Sequence, residues 1–157
     1  MTALENAQRF IDTVRADEGA KFAGPCAVEV ISEAEARLGL RFPPSYRLSL
    51  EELGTCDING EEILGLFEQP STPGTIWGAL KETLDARGDT ALPDSCIVFY
   101  YDGMGGSFVL DTAKADSEGE APVYLWIGGA SQPGDDLEMI SADFGACALG
   151  LATGSLY

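Results

Sequence analysis

The chain has 157 residues and carries 26 Asp and Glu against 9 Lys and Arg, a formal charge of -17, with no histidine. Such a field repels nucleic acid and anionic membrane surfaces, and it either favours basic protein partners or only keeps the protein soluble, while the absence of imidazole removes Ser-His-Asp and Cys-His catalysis, histidine acid–base chemistry and every His-containing metal site. A hydrophobic content of 45% with 9% aromatics excludes a disordered chain and suits one domain that buries roughly 70% of its unfolded surface.

Residues 3–16 read as a helix with Leu4, Ala7, Ile11 and Val14 on one face. After a Gly- and Ala-rich connection over 17–30, two short helices have both ends marked. Ser32 is the expected cap of the first, Glu35 completes a capping box, Ile31 staples onto Ala36, and Gly39 suits a left-handed stop. The second begins at Pro43-Pro44, carries Tyr46, Leu50 and Leu53 on one stripe, and stops at Gly54. Asn59-Gly60 predicts a hairpin joining Thr55–Ile58 to Glu61–Phe67. Pro70, Pro73 and Gly74 mark a loop, and Thr75–Arg87 reads as a helix burying Trp77, Leu80 and Leu84 with Gly88 as its end.

The back half turns to strands. Cys96–Tyr101 is a continuous apolar run of the kind found in a buried central strand. Asp102–Gly106 turns the chain into Ser107–Asp111, and Pro122–Ile127 alternates with both faces covered. Lys114–Glu120 is a polar loop, and Ser141 is the expected cap of a last helix carrying Phe144, Ala148 and Leu151. This order predicts a single α+β domain, a mainly antiparallel sheet flanked by four to five helices.

Several motifs imitate chemistry without completing it. Gly103-Met-Gly105-Gly106 precedes a strand, whereas phosphate cradles open a helix. Asp143-Phe144-Gly145 spells a kinase tripeptide in a chain with no accompanying kinase motif, and its expected role is a helix start with Asp143 near the dipole. Asp116, Glu118 and Glu120 lack the spacing and closing glutamate of a calcium loop. A glycosidase-like carboxylate pair has little meaning among 26 acids. Trp77 and Trp126 have the spacing of core residues. Cys26, Cys56, Cys96 and Cys147 form no Cys-x-x-Cys pair, so reduced, mostly buried thiols are expected. The first ten residues show no basic and apolar leader pattern, and no apolar run approaches the roughly 18 residues that cross a bilayer, so the expected compartment is the cytoplasm.

The ordered set Ile31, Glu35, Leu38 and Gly39, then Pro43, Tyr46, Leu50 and Gly54, resembles the opening of the SUKH superfamily. Its members include the fungal Smi/Knr cell-wall assembly regulators and many bacterial relatives. Ile63-Leu64-Gly65 resembles the family's short strand ending at glycine. Leu92-Pro93 with Ile97–Gly103 resembles its central strand and turn, and Phe108–Asp111 the strand ending in Asp. Pro122-Val123 and 142–151 resemble the next strand and the closing helix, so the likeness spans about 28–152.

The resemblance implies a cytosolic binding protein with no catalytic residue, cofactor or metal. Bacterial members are mostly regarded as immunity proteins that neutralise a polymorphic toxin domain, many of them nucleases or deaminases with basic clefts. The charge balance points to the same kind of partner, because complementary charge raises encounter rates. The expectation is therefore a monomer or weak dimer that binds a basic toxin domain, with a Smi/Knr-type regulatory adaptor as the alternative and a carboxylate enzyme third. The expected binding loops are the hairpin tip (Asp57, Glu61, Glu62), the Asp102 turn, the loop with Asp116, Glu118 and Glu120, and the run with Asp135, Asp136 and Glu138. Ser32, Glu35, Gly39, Pro43, Tyr46, Leu50, Gly54, Gly65 and Asp111 are expected to build the scaffold.

Overall fold

The computed structural model describes residues 1–156. Helix α1 (Ala3–Ala16) opens with Thr2 Oγ1 accepting from the Glu5 N–H, a cap that satisfies a donor the first turn leaves free. Its buried face is Ala7, Phe10, Ile11 and Val14. Leu4, expected on that face, is exposed in the first turn, and Phe10 takes the central place.

Helix α2 (Val28–Leu38) starts four residues before the expected cap, from Ala27, which makes no side-chain cap bond. Ser32 is therefore an exposed residue of the second turn, and no capping box forms. The longer helix aligns Ile31, Ala34 and Leu38 on one buried face, and that burial outweighs a cap contribution of about 1 kcal/mol. Ile31 is correspondingly core rather than a staple. Gly39 ends the helix at φ 71°, as expected. Glu35 reaches forward, accepting from the Phe42 N–H at 2.8 Å and from Arg47 Nη1 at 2.7 Å, and so fixes the elbow into α3 (Pro44–Glu52). Pro43 takes the cap position of α3, Tyr46, Leu50 and Leu53 are buried, and Gly54 follows at φ 68°.

Asn59 and Gly60, both at positive φ, join β2 (Cys56–Ile58) to β3 (Glu61–Ile63). The short β1 (Lys21–Phe22) lies in the segment expected to be only a connection, and pairs antiparallel with β2. The second arm of the expected hairpin divides at Gly65: β4 (Leu66–Glu68) pairs instead with β5 (Ile76–Gly78). Trp77 is thus a strand residue opposite Phe67. Helix α4 (Ala79–Thr90) follows and buries Ala79, Leu80 and Thr83. Leu84 is exposed, Gly88 lies inside the helix, and Ala91 at φ 59° closes it.

The largest sheet runs β6 (Cys96–Tyr101), β7 (Gly106–Asp111), β8 (Val123–Ile127) and β9 (Met139–Ser141), all antiparallel. The apolar β6 is buried, but at the end of its sheet rather than the centre. Its outer side is covered from elsewhere: the Val98 N–H donates to Thr83 Oγ1 at 2.9 Å, and the Leu64 N–H donates to the Phe99 carbonyl at 2.8 Å. Ser141 ends β9 and caps nothing; Asp143 Oδ1 caps α5 (Phe144–Thr153) by accepting from the Ala146 N–H at 2.8 Å. A carboxylate at a helix N-terminus also gains from the dipole, which a hydroxyl does not.

Among the described residues, five α-helices and antiparallel sheets of three, two and four strands make an α+β domain. Tyr46 sits at its centre, with ring centroids 4.9 Å from Phe144, 5.4 Å from Phe42 and 6.2 Å from Phe99. Its hydroxyl donates to the Leu64 carbonyl at 2.6 Å. No helix among the described residues is long and apolar enough to cross a membrane.

Candidate functional site: an acidic face centred on Tyr101

The hairpin places Asp57 directly across from Glu62, with Lys21 on the other side of Asp57. Like charges in register repel, so this tip is a local concentration of negative charge with one cation beside it. Glu61 accepts a hydrogen bond from the Tyr100 hydroxyl, which ties the hairpin to the end of β6. Gly60 and Glu61 then share a shallow depression with Tyr101, Asp102 and Met104. Two of the four expected loops therefore meet.

Asp102 itself is mostly a builder of its turn. Its Oδ1 accepts from the Met104 N–H at 2.7 Å and the Gly106 N–H at 2.9 Å. The turn lifts Met104 into solvent, 84% exposed, beside Tyr101 at 47%. The Tyr101 hydroxyl donates to Glu82 Oε1 at 2.5 Å. Partial burial, then the neighbouring Glu82 carboxylate, raises the Tyr101 phenol above its ordinary value, so it stays a donor.

Tyr101 also borders two further concavities. One, of about 270 Å³, is walled by Phe67, Trp77 and Tyr101 and flanked by Glu62 and Glu82. The other runs along α4 past Glu82, Asp85 and Asp89 to Gly106 and Gly128. The expectation that Trp77 is core is corrected here. Its indole is half-buried on the outer face of the β4–β5 pair, its Nε1–H donating to Thr72 Oγ1 at 2.9 Å, whereas Trp126 is buried as expected.

The remaining expected loops line none of these three concavities. Asp116 repeats the Asp102 device, with Oδ1 accepting from the N–H groups of Glu118 and Glu120 at 2.9 and 3.0 Å. Glu118 is exposed and lines a groove of about 1060 Å³ against Arg41, Phe42 and Arg47. Glu120 does not belong to the surface: it is 5% exposed, and its carboxylate accepts from the Ser45 N–H and Oγ–H at 2.9 and 2.7 Å. Burial raises its carboxyl above the ordinary value against the pull of those two bonds, with the charges of Asp143 and Asp116 adding to the rise. Asp135 Oδ2 holds its own turn through the Gln132 N–H, and Asp136 and Glu138 are exposed in the connection before β9. Asp111 caps the single 3-10 turn after β7 and accepts from Ser95 Oγ at 2.8 Å.

Sequence reasoning missed Glu82, Asp85, Asp89, Phe67, Tyr101 and Met104. The signal for the three acids was present: their spacing of three and four residues is one helical face. Among chemically reactive groups, burial pushes Cys56, Cys96 and Cys147 each up to about 12, holding them as thiols. No group of three or more Cys, Asp or Glu among the described residues is placed to hold a metal ion.

A family model described as SMI1-KNR4 cell-wall, within the SUKH group, matches residues 29–146. No curated protein matches the chain. The matched span holds the α2–α3 elbow, Gly65, the Asp102 turn and Asp111, the positions that carry the resemblance in the sequence. The chain therefore belongs to the SUKH (SMI1-KNR4) superfamily.

Proposed function

We propose that this protein is a non-catalytic binding protein of the cytoplasm that occludes a basic surface on another protein, in the manner of an immunity protein against a toxin domain. The observation that carries the reading is the convergence of the hairpin tip, the Asp102 turn and the α4 acids around exposed Tyr101 and Met104. An apolar centre rimmed by charge is the anatomy of a protein interface. The net charge of -17 supplies the steering field. A nuclease or nucleic-acid deaminase fits as partner, because its own cleft must be basic to hold a phosphate backbone.

The test is co-expression with the toxin domain encoded at the same locus. Growth should be restored, and reversing Glu62 and Glu82 to Lys should slow association about tenfold and flatten its salt dependence. The family description, which names the cell wall, favours a second reading as a regulatory adaptor. If the locus encodes no toxin and a cell-wall enzyme binds through the same face, the adaptor reading replaces the first. A turnover abolished by one Asp→Asn change would overturn both.

A further inference from the structure

Resting on that reading, we infer that the concavity between β4–β5 and the end of β6 receives one arginine side chain of the partner. The ligand class follows from the walls. Phe67 and Trp77 are directly paired across two antiparallel strands, so their rings stand side by side on one face. Tyr101 supplies a third ring, and Glu62 and Glu82 flank the opening. Rings present negative π faces and carboxylates accept bidentate donors; a planar guanidinium satisfies both, stacking on one and pairing with the other. An ammonium satisfies the charge but not the planar stack.

The size agrees. About 270 Å³ is just below the usual range of small-molecule pockets and suits a single long side chain. Part of the wall is also fixed before anything binds. Trp77 is held by its bond to Thr72 Oγ1, and Tyr101 and Glu82 are held by their mutual bond. Such preorganisation lowers the cost of ordering on binding. None of the concavities around Phe42, Phe22, Met104 and Trp126 combines three rings with two carboxylates.

The experiment titrates N-acetyl-arginine amide into the isotope-labelled protein at physiological ionic strength and follows amide and indole resonances, with N-acetyl-lysine amide as the comparison. Expected are saturable shifts of the Trp77 indole N–H and of the Glu62 and Gly78 amides, with the buried Trp126 indole unmoved. The lysine analogue should bind more weakly, and Trp77→Leu or the pair Glu62→Gln with Glu82→Gln should weaken arginine binding about tenfold. An unchanged spectrum of dispersed amides in each variant establishes that it is folded. Non-saturating shifts, shifts spread equally over the Asp135–Asp136 stretch, or indifference to these variants would overturn the arginine pocket. If the Glu62 and Glu82 reversals still slow partner association in that case, the acidic-face reading stands without the pocket; if they do not, both fall.

Discussion

Glu120 caps helix α3 from a distance of 75 residues, its carboxylate receiving both the backbone N–H and the hydroxyl of Ser45. Helix α3 begins at Pro43-Pro44 and has no local side-chain cap, so one of its free N-terminal donors is satisfied by a loop beyond β7. An acid expected on a binding loop is thus a tie between the two halves of the fold.

Glu120→Ala should therefore cost about 3 kcal/mol in chemical denaturation, because Ser45 keeps two buried donors without a charged acceptor. Glu120→Gln should stay within about 1 kcal/mol of the parent, since its amide oxygen still accepts from the Ser45 N–H. A loss under about 0.5 kcal/mol for the alanine variant would mean that the tie contributes nothing.

The same carboxyl predicts a pH effect of unusual sign. Its folded-state value is raised, so between the ordinary glutamate value and the raised one the folded state binds more protons than the unfolded state. Its contribution to unfolding free energy then improves as pH falls through that window. Glu120→Gln should erase this dependence, so the parent should gain stability relative to the variant as pH falls through the window. A parent that loses stability relative to the variant over that window would overturn the assignment.

Tyr46→Ala and Leu50→Ala should each cost about 2–5 kcal/mol through lost packing and a residual cavity. Tyr46→Phe should cost less, about 1–3 kcal/mol, because only the bond to the Leu64 carbonyl is lost and that acceptor stays buried. Equal losses for Tyr46→Ala and Tyr46→Phe would show that the ring is not the larger part.

Gly65→Ala should be destabilising by about 3 kcal/mol. A Cβ there would lie 2.4 Å from the Gly54 carbonyl carbon and oxygen, and the Gly65 carbonyl in turn accepts from the Ala79 N–H at the start of α4. Thermal unfolding of the alanine variant within a degree or two of the parent would mean that the two backbones separate freely.

The sequence carried the fold where signals were local and uncontested. Asn59-Gly60 has one good conformation, Gly39 and Gly54 end helices at positive φ, and the stripe of Tyr46, Leu50 and Leu53 has one apolar face to bury. It misled where a local signal competed with burial. Ser32 and Glu35 spell a cap, yet the helix that also buries Ile31 wins. Trp77, Leu80 and Leu84 have helical spacing, but the chain at Gly78 takes φ 83°, and Trp77 pairs with a strand across a loop. The proposed binding face was half legible: charge density pointed to the hairpin tip and the Asp102 turn, but not to Tyr101 and Trp77, whose exposure depends on which strands meet. Glu120 was invisible because its partner lies in another element.

The hairpin tip also has a thermodynamic meaning. With Asp57 across from Glu62 and more acids on α4, the face holds repulsion that Lys21 beside Asp57 and Lys81 paired with Asp85 relieve only in part. Mobile cations dampen it in solution, and a docked cationic protein removes it more completely. On the proposed function the unpartnered molecule is held below its full stability, and complex formation would return that difference as a higher melting temperature. The partner would in this sense act as this domain's missing counterion.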